Sequence, residues 1–413
     1  MFVKVEIINI GDEIVNGATL NTNGFTLAQN LSSAGYDVVA ITAVGDNKAL
    51  IKASLITALQ RADFLLITGG LGPTIDDRTN EAVADALDLP LISNAHALER
   101  MKSHLEDKGL TLKPEHKKMI LIPKGAEPIG FQFQACGFKL IYKNKYLYFL
   151  PGIPQQMVKI LRHQVMPELA QSFPYVEPKA SITLLIFGLD EIQVESKIKD
   201  ILEMFPEVKL SSLPCFPEIH LLLSSRDAHA LNVMKERVKE RLGLNIFGED
   251  GETMPFVVGK LLKSRRLKLA VAESITGGLI SDLITNVPGS SEYFEQGVVV
   301  YSNKAKAEIL NIPENIIDTE GAVSETVAKY MAEGIKIIAK TDLGIAVTGY
   351  AGPTTGPEAK VGTVYIALGA PQGTKVKKYL FKGSRQKIKI LTAANALDWI
   401  RRYCLDDTFL HRD

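Results

Sequence analysis

The sequence predicts an α/β protein: two three-layer α/β domains with mainly parallel sheets, joined by a small α+β module. Three observations carry this expectation. Short β-branched runs alternate with helix-period stretches at both ends of the chain, as in sheets wrapped by helices. The order of elements changes between residues 171 and 251. A chain of 413 residues is also longer than a single core usually serves. The predicted boundaries are 1–170, 171–251 and 252–413.

In the first domain VKVEIINIG, DVVAI and DFLLITGG read as strands, each ending near glycine or a turn. TLAQNLSSAG and ALIKASLITALQ lie between them as helices. A hairpin follows, QACGFKLIY and KYLYFLPG, with Lys143, Asn144 and Lys145 in its turn region. Ile153 to Ala170 reads as a closing helix. The middle segment orders as strand SITLLIFG, helix EIQVESKIKDILEMF, strands EVKLSSL and EIHLLLSS, and helix AHALNVMKERVKERLG. It has no GXXG clamp and no basic stripe beyond Lys235–Arg241, so it reads as a solvated linker module and not a nucleic-acid binder. The third domain alternates again: MPFVVGKLLKSRR, LKLAVAES, TGGLISDLITNV, FEQGVVVYS, SETVAKYMAEGIKIIA, DLGIAVTGYAGP, VGTVYIALGA and SRQKIKILTAANALDWIRRY.

Composition narrows the function classes. Lys+Arg and Asp+Glu are both 47, so no net charge draws the chain to nucleic acid or a membrane surface. The three cysteines, Cys136, Cys215 and Cys404, lack metal-ligand spacing and fit a reducing compartment. The opening MFVKVEIINIGDE reads as a first strand and not a signal peptide, and no apolar run is long enough to span a bilayer. The cytoplasm is the expected location.

Ligands of open α/β sheets gather at the carboxyl ends of strands. In the third domain Ser274 and Thr276 follow LKLAVAE, Thr348 and Gly349 follow DLGIAV, and Tyr301 ends GVVVY. ESITGG, with Gly277 and Gly278, reads either as an anion cradle at a helix start or as an ordinary N-cap. Ser290 and Ser291 sit in a Pro-Gly turn and pose the same choice between turn chemistry and nucleophile. The only histidine of this domain is His411, which leaves no Ser-His-Asp triad. A serine here would need a lysine held neutral by burial; Lys306, five residues beyond Tyr301, is either that base or a solvated lysine beginning a helix. In the first domain TGGLGPTIDDRTNEAVADAL brings together Gly69, Gly70, Gly72, Thr74 and Thr79 as candidate phosphate contacts. Asp76 and Asp77 are either ligands of a hard cation or first-turn carboxylates. Asp12, Glu13 and Asp46 are further acids after strand ends.

AESITGG, VPGSSEYFEQGVVVYSNKAK, GAVSE, TGYAGPTTG and VGTVYIA occur in order. They resemble the C-terminal domain of the CinA (competence/damage-inducible protein A) family, also found alone as nicotinamide-nucleotide amidase. The resemblance covers the whole third domain. It implies hydrolysis of nicotinamide mononucleotide to nicotinate mononucleotide and ammonia without a cofactor. It implies Ser291 as nucleophile, Tyr301 and Lys306 as activating residues, and Ser274, Thr348 and Arg385 as substrate contacts. Ile275 stands where the family commonly has cysteine, and Lys360 where it has proline. GDEIVNG, NTN, TGGLGPTIDDRT and LPGIPQQM resemble the N-terminal domain of the same family, which has the molybdopterin-binding MoaB/MogA-like fold. That resemblance implies a nucleotide- or pterin-like phosphate ligand, a dinucleotide pyrophosphatase acting on substrates such as ADP-ribose, a divalent metal (Mg²⁺, Mn²⁺ or Co²⁺) and K⁺. GFQFQACG replaces the family's GTAPG-type loop and Gln156 replaces a glutamate, so binding is expected ahead of turnover. The middle module is expected to link the domains and support a homodimer. The rival expectations are a metal-dependent pyrophosphatase with an inert C-terminal domain, and a non-catalytic ligand sensor.

Overall fold

A computed structural model describes residues 3–107, 111, 113, 116–130, 137–356 and 359–411, except the side chains of residues 96, 100, 104 and 107. The expected GFQFQACG loop falls almost wholly outside the described residues. Contacts divide the chain into two compact units, Met1–Ala180 and Ser181–Asp413. Among the described residues no helix is long and apolar enough to cross a membrane.

Unit 1 is built on a six-stranded sheet. Its strands are β1 (Lys4–Ile10), β2 (Asp37–Val44), β3 (Phe64–Thr68), β6 (Glu127–Ile129), β7 (Gly137–Tyr142) and β8 (Lys145–Leu150), with β4 (Leu91–Ser93) and β5 (Leu121–Pro123) as a separate pair. The order is β2-β1-β3-β8-β7-β6. Strands β2, β1, β3 and β8 pair in parallel, and β7 and β6 add an antiparallel edge. Strand alternation makes two cores. Val5, Ile7, Phe64 and Leu66 point to one face, and Ile8, Ile10, Leu65 and Ile67 to the other. The expected hairpin is present. Lys143 and Asn144 take left-handed φ of 47° and 63°, as a two-residue turn between twisted strands requires. Lys145 already pairs with Tyr142 as the first residue of β8. The closing helix runs from Pro154 to Ser172 with a π turn at Leu161–Val165. The expected 170/171 boundary therefore falls inside it, and the Lys179 amide still donates to the Ser33 carbonyl at 3.1 Å.

Unit 2 contains two sheets. Strands β9 (Ala180–Ile186), β10 (Lys209–Cys215), β11 (Glu218–Ser225) and β12 (Ile246–Glu249) form the first, in the order β10-β11-β9-β12. Strands β13 (Leu269–Glu273), β14 (Phe294–Val299), β15 (Leu343–Gly349), β16 (Thr363–Ala370) and β17 (Gly373–Leu380) form the second, in the order β14-β13-β15-β16-β17. Strands β14, β13 and β15 are parallel, while β16 and β17 are antiparallel. Leu185 and Phe247 of the first sheet, with Phe187 just past β9, share an apolar core with Val258, Val271 and Trp399. The buried Arg401 guanidinium donates to the carbonyls of Leu244 and Ile246 and holds Asp398. That shared core is why the middle segment groups with the residues after it.

Candidate active site

The site of unit 2 begins with strand alternation. Along β13 Leu269 and Val271 face one core, while Ala270 and Ala272 face the other. Glu273 continues the first face and Ser274 the second. Adjacent side chains are thus sent to opposite sides of the sheet. Glu273 is fully buried. Its Oε2 accepts from the amides of Gly278 and Ile280, both at 3.0 Å. Its Oε1 accepts from the Ser281 amide at 2.9 Å and the Ser281 hydroxyl at 2.7 Å.

Ser274 faces Lys306. Chain reversal after β14 leads into the helix Asn303–Leu310, whose first turn is capped by the Ser302 hydroxyl. Lys306 lies on the inner side of that helix and is 2% exposed. Its Nζ stands 3.1 Å from Ser274 Oγ, 3.0 Å from the Val300 carbonyl and 3.4 Å from the Tyr301 carbonyl. Burial pushes the Lys306 pKa down to about 8. In the neutral form two N–H groups satisfy the two carbonyls, and the lone pair is left for the Ser274 hydroxyl proton.

A pocket of about 240 Å³ opens over this pair, at the carboxyl ends of β13 and β15. Tyr301 and Arg385 form part of its wall. Tyr301 is 63% exposed. Its hydroxyl accepts from Arg385 at 3.1 Å, and Arg385 also donates to the Gly352 carbonyl at 2.8 Å. Both of these partners, the phenol and the carbonyl, are neutral. Lys306 meets residue 301 through its backbone carbonyl, while the Tyr301 hydroxyl contacts Arg385. Thr348 is buried and its hydroxyl donates to the Ala322 carbonyl at 2.8 Å, tying the GAVSE loop to β15. Gly349 lines the pocket where a Cβ would stand 2.7 Å from the Thr363 carbonyl.

Two expectations are corrected. Ser291 sits exposed in the short turn Ser290–Glu292, before β14, while Lys306 follows the other end of that strand. Six strand residues at about 3.3 Å each put the two sites about 20 Å apart along β14. Ser291 lies outside the pocket lining. The ESITGG cradle is real, but the chain's own Glu273 fills it. Thr276 is fully buried with its hydroxyl unpartnered, Gly277 and Gly278 form the turn at φ of 62° and 97°, and none of the three lines the pocket. Sequence reading missed Glu273; the signal was an acid ending the wholly apolar run LAVA.

In unit 1 a cavity of about 540 Å³ lies at the ends of β1 and β3. Gly69, Gly70, Gly72, Asp46, Asp76 and Asp77 line it as expected, together with Glu13 and Gln156. A Cβ on Gly69 would stand 2.1 Å from the Ile10 carbonyl, and one on Gly70 2.2 Å from Thr79 Oγ1. Asp12, Thr74 and Thr79 are not in the lining but shape it. Asp12 and Asp46 each accept the other's amide, at 2.9 and 3.1 Å. Burial raises the Asp46 pKa, and the charges of Asp12, Glu13 and Asp76 raise it further. Thr79 donates to the Gly69 carbonyl at 2.8 Å. Asp77 accepts the Thr74 amide at 2.8 Å and its hydroxyl at 2.5 Å, which makes it a turn carboxylate. The described residues contain no group of three acids, histidines or cysteines arranged to hold a metal.

Fold and site together define a two-unit α/β protein with a glycine-turn cavity in one unit and a buried serine–lysine pair in the other. Residues 252–404 match the family described as "CinA C-terminal domain", and residues 6–171 that described as "Probable molybdopterin binding domain". A CinA-like protein of Desulfotalea psychrophila is 40% identical, over 98% of this chain and 100% of its own. One from Syntrophus aciditrophicus is 39% identical, over 97% and 98%. The chain belongs to the CinA-like family. A crystal structure of CinA from Thermoplasma acidophilum, titled as of unknown function, is 31% identical with a TM-score of 0.38, over 40% of this chain and 98% of that one.

Proposed function

We propose that unit 2 is a serine amidohydrolase that converts nicotinamide mononucleotide and water to nicotinate mononucleotide and ammonia. The observation that carries this reading is the 3.1 Å contact between Ser274 Oγ and the buried amine of Lys306. Ser274 replaces Ser291 as the nucleophile. Neutral Lys306 takes the hydroxyl proton as Ser274 attacks the carboxamide carbon. The Lys306 ammonium then gives that proton to the carboxamide nitrogen, the C–N bond breaks and ammonia leaves, with a nicotinoyl ester on Ser274. Lys306, neutral again, takes a proton from water as it attacks the ester. Return of that proton to Ser274 Oγ frees the carboxylate. Arg385, whose hydrogen-bond partners among the described residues are a phenol and a carbonyl, is a cation available for the substrate phosphate. A pocket of about 240 Å³ suits a mononucleotide better than a dinucleotide. Ammonia release from nicotinamide mononucleotide by the full chain, lost in Lys306→Ala, tests the reading; a wild-type chain that releases none overturns it.

Unit 1, in the same proposal, binds a phosphate-bearing nucleotide or pterin in its glycine-turn cavity. Its Gly69–Gly70 turn brings backbone to the cavity wall, which supports this assignment. Calorimetric titration with ADP-ribose tests it, and no heat at millimolar ligand refutes that ligand.

A further inference from the structure

We propose that Glu273 is a positioning residue for hydrolysis: its buried carboxylate fixes the turn Ser274–Gly278, and with it the nucleophile and the backbone amides beside it. Four donors and no acceptor face the two oxygens, which is the partner set of a carboxylate. Burying such a group is costly unless every lone pair is met, so the arrangement has little freedom to shift. Gly277 and Gly278, at φ of 62° and 97°, let the chain reverse within reach of the carboxylate. The carboxylate takes the amides of Gly278, Ile280 and Ser281. It leaves that of Ile275, which lines the pocket next to Ser274, where the developing oxyanion needs a donor. Because Ser274 directly follows Glu273, the last residue of β13, any loosening at the carboxylate is passed directly to the serine.

Glu273→Gln keeps the shape but places an NH₂ against N–H donors. The expected result is a fall in kcat of about 100-fold, the scale of a lost oxyanion donor, with KM unchanged within about threefold. The midpoint of the pH–rate profile should not move, since Lys306 is on the opposite face. A merely structural role would lower the melting temperature and leave kcat of the folded protein intact, and that result overturns the proposal. If Glu273→Gln does not fold, Ser281→Ala carries the test. It deletes only the hydroxyl donor at 2.7 Å, and kcat should fall about fivefold at constant KM; unchanged kcat overturns the proposal. The inference rests on the amidase reading, and a fluorophosphonate probe separates the two. A wild type that ignores nicotinamide mononucleotide but is labelled at Ser274 loses only its substrate assignment. Labelling should then slow about 100-fold in Glu273→Gln, and equal labelling rates overturn the role of Glu273. A wild type that does neither overturns both.

Discussion

Replacing Lys306 by methionine should abolish activity and change how stability depends on pH. The amine is 2% exposed and its pKa is pushed from 10.5 to about 8 by burial. At about 1.4 kcal/mol per pH unit, keeping this lysine inside costs the folded protein about 3 kcal/mol at neutral pH. The sign follows from proton binding. The folded pKa lies below the unfolded one, so between about 8 and 10.5 the unfolded chain holds more protons. Stability contributed by Lys306 therefore rises with pH across that window. Lys306→Met lacks this dependence. Between pH 7.5 and 10 the wild type should gain roughly 2 kcal/mol relative to the variant. Other titrating groups are common to both proteins and cancel in the difference. The chain has one tryptophan, Trp399, which lies in unit 2, so urea unfolding followed by its fluorescence reports the right unit. A stability difference that stays flat from pH 7.5 to 10 would refute a lysine neutralised by burial.

Activity itself should rise with pH through a single midpoint near 8 and level above it, since Lys306 must be neutral to act; a rate independent of pH between 6 and 9 contradicts the base assignment. Arg385→Ala should raise KM for nicotinamide mononucleotide about tenfold or more with a smaller effect on kcat, as loss of a phosphate contact does. In unit 1, Gly70→Ala sets a Cβ 2.2 Å from Thr79 Oγ1 at a left-handed φ of 65°, and titration should show ligand binding weakened at least tenfold. Arg401→Met removes a buried cation from Asp398 and from two carbonyls of the middle segment. Urea unfolding should report a loss of about 3 kcal/mol.

Most of the framework could be read from local pattern. VKVEIINIG and LKLAVAES are apolar because both faces of their sheets are covered, and such runs announce buried parallel strands. Strand β17, GTKVKKYL, was not legible, because alternating lysines on a half-exposed edge look like a loop. Lys306 was found through the family resemblance; by itself, a lysine just past a half-exposed strand reads equally as a solvated residue that opens a helix. Its partner was misread for a topological reason. VPGSSEYFEQGVVVYSNKAK is continuous in sequence, but a strand inside it carries its two ends to opposite edges of the sheet. Ser274 is distant in sequence from Lys306, yet parallel pairing of β13 with β14 puts Glu273 opposite Val299 and brings both strand ends together. Glu273 was hidden because a carboxylate ending a strand reads as a solvent-facing group until the helix after it folds back. Sequence could not show that Thr74 donates to Asp77, which makes that carboxylate part of the turn.

Ammonia release from nicotinamide mononucleotide by Ser274→Ala and Ser291→Ala, assayed side by side near pH 8.5, bears most directly on the serine–lysine pair. Ser274→Ala should fall to background while Ser291→Ala stays within about threefold of wild type, because Ser291 lies outside the pocket that holds Lys306. Loss of activity in Ser291→Ala with Ser274→Ala still active would contradict the account.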